Sequence, residues 1–228
     1  MEQGASLPGA SPGMQRQLQI YLNGLAGEKP PFPIAIEALE AQAREVLRPE
    51  AAAYLFGGAG GEETVRANRE AFRRWRLVPR MLRGVGTRDL SVELLGRRLP
   101  APVLLAPIGV QGILHPEGEL AVARAAAAVG VPFVLSTVSS QPLEAVAEAM
   151  GAAPRWFQLY WGRDPELTVS LIRRAEAAGY EALVVTLDTT LLAWRDQDLA
   201  HAYLPFLRGE GLANYFTDPV FRSRLDEP

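Results

Sequence analysis

Ala101-Pro-Val-Leu-Leu-Ala-Pro107, Val131-Pro-Phe-Val-Leu-Ser-Thr137, Trp156-Phe-Gln-Leu-Tyr-Trp161 and Ala182-Leu-Val-Val-Thr-Leu-Asp188 are four short apolar runs. Strands of a parallel sheet read this way, because both of their faces are covered. Between them lie helical stretches. The first opens at Pro116-Glu-Gly-Glu119 and stops at Gly130, the second runs from Leu143 to Met150, and the third starts at Asp164-Pro165 and ends at Gly179. The strands start near 102, 131, 155 and 182, a spacing of 24 to 29 residues. Alternation at that spacing predicts βα units and a parallel sheet, either doubly wound or closed as a (β/α)8 barrel. The first strand–helix turn lacks the GxGxxG dinucleotide fingerprint. Polar residues gather instead at the strand ends: Ser136, Thr137, Gln158, Tyr160, Thr186 and Asp188. That distribution favours the barrel, whose active sites form at the C-terminal ends of several strands.

Upstream, the pattern predicts helices over 15–24, 34–46, from Pro49 through Tyr54, and from Glu62 to Trp75. A proline-rich loop separates the first two, Gly57–Gly61 stops the third, and Arg88–Leu99 closes the segment. The expected organisation is a frayed tail at 1–14, a helical segment at 15–100, and half of a barrel at 101–228. Only about four βα units fit in that last stretch, where a barrel needs eight. Tyr203–Pro228 is punctuated by proline and glycine and reads as a long loop.

Composition narrows the function classes. Twenty-three basic against 26 acidic residues give a net charge of −3, which is not the footprint of a nucleic-acid binder. There is no cysteine, so disulfides, thiolate metal sites and thiol nucleophiles are excluded. The start of the chain has neither a basic opening nor an apolar run, as a signal peptide would. Its longest apolar runs are too short to cross a bilayer. A cytoplasmic protein without membrane partners is expected. Asp188, Asp196 and Asp198 are scattered acids lacking a ligand pattern, so no metal site is expected.

Taken singly, the polar positions carry modest signals. Pro107-Ile108-Gly109 reads as a strand-terminating turn, Ser136 and Thr186 as local turn formers, and Tyr54, beside Leu55 and Phe56, as a core aromatic. Two are anomalies. Gln158 is an amide between Phe157 and Leu159 that must find partners if buried, and Arg195 follows the apolar Leu191-Leu-Ala-Trp194.

Six stretches together resemble a known family. They are Tyr54-Leu-Phe-Gly-Gly-Ala-Gly60, Leu105-Ala-Pro-Ile-Gly109, His115-Pro-Glu-Gly-Glu119, Ser136-Thr137, Phe157-Gln-Leu-Tyr160 and Val185-Thr-Leu-Asp-Thr189 with Arg195. In this order and spacing the chain resembles the FMN-dependent L-2-hydroxy acid oxidases and dehydrogenases, from about residue 34 onward. Leu192-Ala-Trp-Arg195 and the stretch from Tyr203 to Phe221 most resemble lactate 2-monooxygenase within it.

The resemblance implies a (β/α)8 barrel with FMN contacts at Pro107, Ile108, Gly109, Ser136, Gln158 and Thr186. It places the substrate's carboxylate on Tyr54, Tyr160 and Arg195, where an arginine fork suits bidentate recognition. It implies L-lactate and O2 as reactants, converted to acetate, CO2 and water in the monooxygenase branch. The family's general base is a histidine in a His-Gly-Gly motif, which this sequence lacks, so no catalytic residue is assigned. His115 and His201 match no such role. The family's FMN-phosphate glycines, second carboxylate-binding arginine and flavin-side lysine are also missing. The chain is therefore expected to be the N-terminal half of such an enzyme, inactive alone, paired with a C-terminal half or self-associated. The rival expectation is a non-catalytic half-barrel acting as a relic, binding module or scaffold. A barrel enzyme acting on a phosphorylated sugar would need phosphate loops that this half would not show.

Overall fold

The computed structural model describes residues 11–84, 86 and 88–225, so positions 1–10 of the expected tail lie outside the described residues. The chain divides into two compact units, Met1–Ala52 and Ala53–Pro228.

The first unit is helical. Helix α1 (Pro12–Leu25) begins three residues before the predicted start, because Ser11 caps it by accepting the Met14 N–H at 3.3 Å and Pro12 suits the first turn. Helix α2 (Ile36–Val46) carries a Glu40–Arg44 pair one turn apart. Helix α3 (Pro49–Phe56) spans the division between the units.

The second unit continues with α4 (Glu63–Ala71) and one 3-10 turn, then a hairpin of β1 (Val92–Leu94) and β2 (Arg97–Leu99) in which Val92 faces Leu99. The sequence pattern predicts no strand there. The two-residue turn is Leu95-Gly96, with φ of 49° and 77°, and leucine in a left-handed turn position is a poor signal for the tight hairpin it makes.

The alternating part follows as α5 (Gly118–Val129), β3 (Phe133–Leu135), α6 (Leu143–Met150), β4 (Arg155–Tyr160), α7 (Pro165–Ala177) and β5 (Leu183–Thr186). The sheet is parallel in the order β3-β4-β5, with Leu135 opposite Phe157 and Tyr160 opposite Thr186. Helix starts and stops obey their local chemistry. Asp164 Oδ1 accepts the N–H groups of Glu166 and Leu167, and Gly130 ends α5 with a φ of 70°.

Three expectations need correction. The first apolar run is a single parallel bridge between Leu105 and Phe133, with Leu105 N–H on the Pro132 carbonyl at 2.9 Å. Pro102 and Pro107 have no N–H to extend the ladder. The sheet among the described residues therefore has three strands plus that bridge, and not four strands. Strand β5 is the second departure: Leu183 and Val185 are each 42% exposed, so only β3 and the inner part of β4 have the two covered faces expected of the set. Lastly, Tyr203–Leu225 is not a loop. After α8 (Asp196–Ala200) it forms a 3-10 turn, α9 (Ala213–Phe216) and α10 (Pro219–Leu225). Asp218-Pro219 is a helix-start pair, and Asp218 Oδ1 accepts from Val220 at 2.9 Å and Phe221 at 3.3 Å.

The core lies between this sheet and its helices. Phe133, Leu135, Phe157 and Leu159 pack against Ala123 and Ala126 of α5, Leu143 and Val146 of α6, and Leu171 and Ala175 of α7. Tyr180 joins them edge-on to Phe157, its O–H donating to the Leu143 carbonyl at 2.8 Å. No helix among the described residues is long and apolar enough to cross a membrane.

Candidate active site

Where β3, β4 and β5 end, side chains from three successive strands form one hydrogen-bonded relay. Ser136 Oγ donates to Gln158 Oε1 at 3.2 Å, and the Thr137 N–H donates to the same oxygen at 3.1 Å. Gln158 Nε2 donates onward to the Thr186 hydroxyl at 2.8 Å. The Thr137 hydroxyl links the main chain, donating to the Gln158 carbonyl and accepting the Tyr160 N–H. Parallel register places these residues side by side, and burial leaves Gln158 only 2% exposed, so the amide is satisfied by protein alone. The anomaly at Gln158 is thus resolved.

The relay emerges in a cavity of about 1140 Å³ lined by Tyr54, Ile108, Gly109, Tyr160, Thr186 and Arg195, among others. Six of the nine predicted site residues therefore converge on one space. Pro107, Ser136 and Gln158 do not line it; the last two lie beneath it as supports for Thr186 and for the Val138 N–H. At Gly109, a Cβ would stand 2.5 Å from Val138 Cγ2 and 3.0 Å from the Val138 carbonyl. The glycine is required here by close packing of two loops.

Arg195 is anchored before any ligand arrives. Its Nη2 donates to the carbonyls of Tyr54 at 2.6 Å and Gly57 at 2.9 Å. Its Nε lies 2.9 Å from Asp198 Oδ2 in an ion pair whose angle leaves that N–H without a hydrogen bond. The guanidinium carbon sits 5.0 Å from the centre of the Tyr54 ring. Two of the three guanidinium nitrogens are thus engaged with the protein itself. Gly57 permits the arrangement, because a Cβ there would meet the Ala53 carbonyl at 2.5 Å. The loop is tied further by the Gly60 N–H on the Trp194 carbonyl and by Glu62, which accepts from Gly58 and Gln197.

Burial pushes the Tyr54 phenol above its ordinary pKa, with the Arg195 charge opposing and Asp198 and Tyr160 adding. Burial raises Tyr160 as well, helped by Asp188. Both phenols therefore hold their protons at neutral pH and can donate to an anion. Burial also raises Asp198, against the pull of Arg195 and His201. The chemistry on offer is two protonated phenols and a guanidinium on the same cavity as the Thr186 hydroxyl and the Gly109 main chain.

Sequence reasoning missed several lining residues. Phe206 and Tyr203 pack edge-on to Tyr54, and Tyr215 and Phe206 reach the cavity from the stretch read as loop. Arg163, a second cation on the lining, directly precedes the Asp164 cap; no motif marked it. Neither His115 nor His201 lines the cavity.

The model of the family described as FMN-dependent dehydrogenase matches residues 43–225. An L-lactate oxidase of Lysinibacillus sphaericus (strain C3-41) is 45% identical over 195 residues, 86% of this chain and 50% of that protein. The FMN-dependent alpha-hydroxy acid dehydrogenase qulF of Penicillium citrinum is 44% identical over 212 residues, 92% of this chain and 53% of that one. A crystal structure of mandelate oxidase with (S)-2-phenylpropionate superposes with a TM-score of 0.75 at 41% identity, covering 82% of this chain and 55% of that one. The chain spans about half the length of the curated relatives it matches.

Proposed function

Because the chain belongs to the FMN-dependent dehydrogenase family, we propose that it supplies the first half of an FMN-dependent, 2-hydroxy-acid-oxidising site built on a (β/α)8 barrel. The observation that carries the reading is the convergence of Tyr54, Tyr160 and Arg195 with Ile108, Gly109 and Thr186 on one cavity. A flat heteroaromatic group bearing donors and acceptors fits that lining. Ile108, Gly109 and a Thr186 hydroxyl that accepts from the buried Gln158 amide all belong to that lining. Ile108, Gly109 and Thr186 would hold the group, with Ser136 and Gln158 setting the Thr186 hydroxyl and Pro107 ending the run before it. Bound there, FMN supplies a two-electron acceptor for the hydroxyl-bearing carbon of the substrate.

The residues of this chain then bind and orient. Tyr54 and Tyr160 donate O–H bonds to the substrate carboxylate, and Arg195 supplies positive charge from a position locked by two carbonyls and Asp198. Proton removal from the hydroxyl needs a base, and neither histidine lines the cavity. We assign that base to the His-Gly-Gly segment of the family fold that this chain does not span, and read the chain alone as inactive. L-lactate is the substrate we favour, with O2 as the second reactant, and the Tyr203–Phe221 stretch supports a monooxygenase-like outcome. β5 is the edge of its sheet among the described residues, so its outer main-chain N–H and C=O groups suit a further strand. The exposed Leu183 and Val185 on one of its faces suit a covering layer, both contributed by a C-terminal half or by a second copy.

The test is reconstitution. The 228-residue chain should quench FMN fluorescence without consuming oxygen when given L-lactate. Adding a C-terminal half that carries His-Gly-Gly should restore oxygen uptake. Turnover by the chain alone overturns the half-site reading. Flavin binding with no rescue by the second half favours the binding-module reading instead.

A further inference from the structure

Glu119 is fully buried, and the site described above makes no use of it. It stands in the first turn of α5 yet caps nothing there. Its Oε1 instead accepts the Gln111 N–H at 3.1 Å and the Ser140 N–H at 3.0 Å, from two different strand-end loops. Its Oε2 has no hydrogen-bond partner among the described residues. A buried carboxylate with one idle oxygen is costly, so its retention points to a task that the two accepted bonds perform.

The task lies one residue before Gln111. Val110 sits at φ 55° and ψ 33°, in the left-handed region that a β-branched side chain disfavours, and it is fully buried. Such a conformation persists only where its surroundings over-determine it. Here the Val110 N–H is held on the Val138 carbonyl at 2.8 Å, and the next N–H, that of Gln111, is held by Glu119. The Gln111 side chain turns back to donate to the Ile108 carbonyl at 3.0 Å. On the other loop, Ser140 offers its own N–H to Glu119 and accepts the Gly112 N–H on Oγ at 2.9 Å. The strained turn thus directly follows Ile108 and Gly109 in the chain, and Val110 lines the cavity with them.

We propose that Glu119 is a positioning residue for the cofactor wall: its carboxylate clamps the left-handed turn at Val110 and so fixes the Ile108–Gly109 main chain at the cavity. The proposal rests on the flavin reading above for the identity of what that wall meets.

The test uses the full 228-residue chain with E119Q, E119A, V110G and the double variant E119A/V110G. Two measurements are made, FMN fluorescence quenching and amide hydrogen exchange. E119Q keeps an acceptor oxygen and should bind FMN like the parent. E119A loses both accepted bonds and should bind about tenfold more weakly. V110G relieves the left-handed strain but also removes a buried side chain, so it should itself lower stability and weaken binding somewhat. Combined with E119A it should nonetheless recover part of the E119A loss, a non-additivity that a merely structural loss would not show. Exchange at Gln111 and Ser140 should be slow in the parent and E119Q and fast in E119A, with Leu135 unchanged.

Parent-like FMN binding by E119A, or additive effects of the two substitutions, overturns the proposal. If E119A does not fold, restoration of folding by V110G supports it and failure to restore overturns it. If the parent does not bind FMN, the flavin reading falls, and the clamp is then judged on exchange alone: unprotected Gln111 and Ser140 amides in the parent overturn it.

Discussion

Arg195 donates at 2.6 Å to the main-chain carbonyl of Tyr54, the same residue whose ring its guanidinium covers at 5.0 Å. Two of the three substrate-binding candidates are therefore one mechanical unit, and a change at Arg195 displaces Tyr54 as well. Lysine keeps the charge but cannot serve two carbonyls and Asp198 from a rigid fork. R195K in the reconstituted enzyme should raise the KM for L-lactate by about tenfold or more, whereas Y54F, which keeps the ring under the guanidinium, should do less. Equal effects of the two would contradict this coupling; steady-state oxygen uptake measures both.

The relay predicts a stability loss together with a binding loss. Q158L removes the acceptor for Ser136 and Thr137 and the donor to Thr186. Leaving the buried Thr137 N–H unpaired should cost about 1–3 kcal/mol in urea unfolding. The same variant should bind FMN more weakly than T186S, which retains a hydroxyl at the cavity. A Q158L chain with unchanged midpoint and flavin affinity would show the relay to be idle.

Asp198 predicts a pH dependence. Burial raises its pKa above the ordinary 3.8, against Arg195 and His201. The folded chain then holds this proton to higher pH than the unfolded chain does. Its contribution to stability is complete below pH 3.8 and is lost as pH rises through the folded value. D198N removes that titration, so the difference in stability between D198N and the parent should shift toward D198N as pH rises from about 4. Parallel pH profiles in chemical unfolding would count against the raised value.

A separate ionic knot should dominate the stability of the C-terminal helices. Arg174 pairs with Glu144 through Nε and Nη2 at 2.8 and 3.0 Å, and with the fully buried Asp218 through Nη1 at 3.0 Å. R174A strands Asp218 without a counter-charge, and breaking such a buried pair costs about 3–5 kcal/mol. Burial pushes the Glu144 carboxyl up, but the Arg174 hydrogen bond and charge leave it below its ordinary 4.5. Its contribution is therefore present above pH 4.5 and fades as pH falls through the lower folded value, and R174A should lose this acid sensitivity. Thermal melts of both chains between pH 3 and 6 would decide it.

Much of this protein can be read along its chain. The 24-to-29-residue alternation of apolar runs and helical stretches marks β3, β4 and β5 with their helices, because strand burial and helix amphipathicity are written in local periodicity. Helix ends at Asp164-Pro165 and Gly130 follow from capping chemistry within a few residues. Six of the nine site residues, picked out with the help of family resemblance, reach one cavity. Asp218-Pro219 carries a start signal for α10 that the loop reading of its proline- and glycine-rich surroundings misses.

Other features belong to relations between distant residues. Whether Ser136 and Gln158 face a ligand or stand behind Thr186 depends on how three strands align. Arg195 is held by carbonyls about 140 positions away, which no local pattern reports. Val110 takes a conformation its own side chain disfavours because Val138 holds its N–H and Glu119 holds the N–H of the next residue, Gln111. Local periodicity and capping specify which segments become strands and helices, since those choices are settled within a few residues. The partners of buried polar groups are settled by which loops the fold brings within 3 Å of one another.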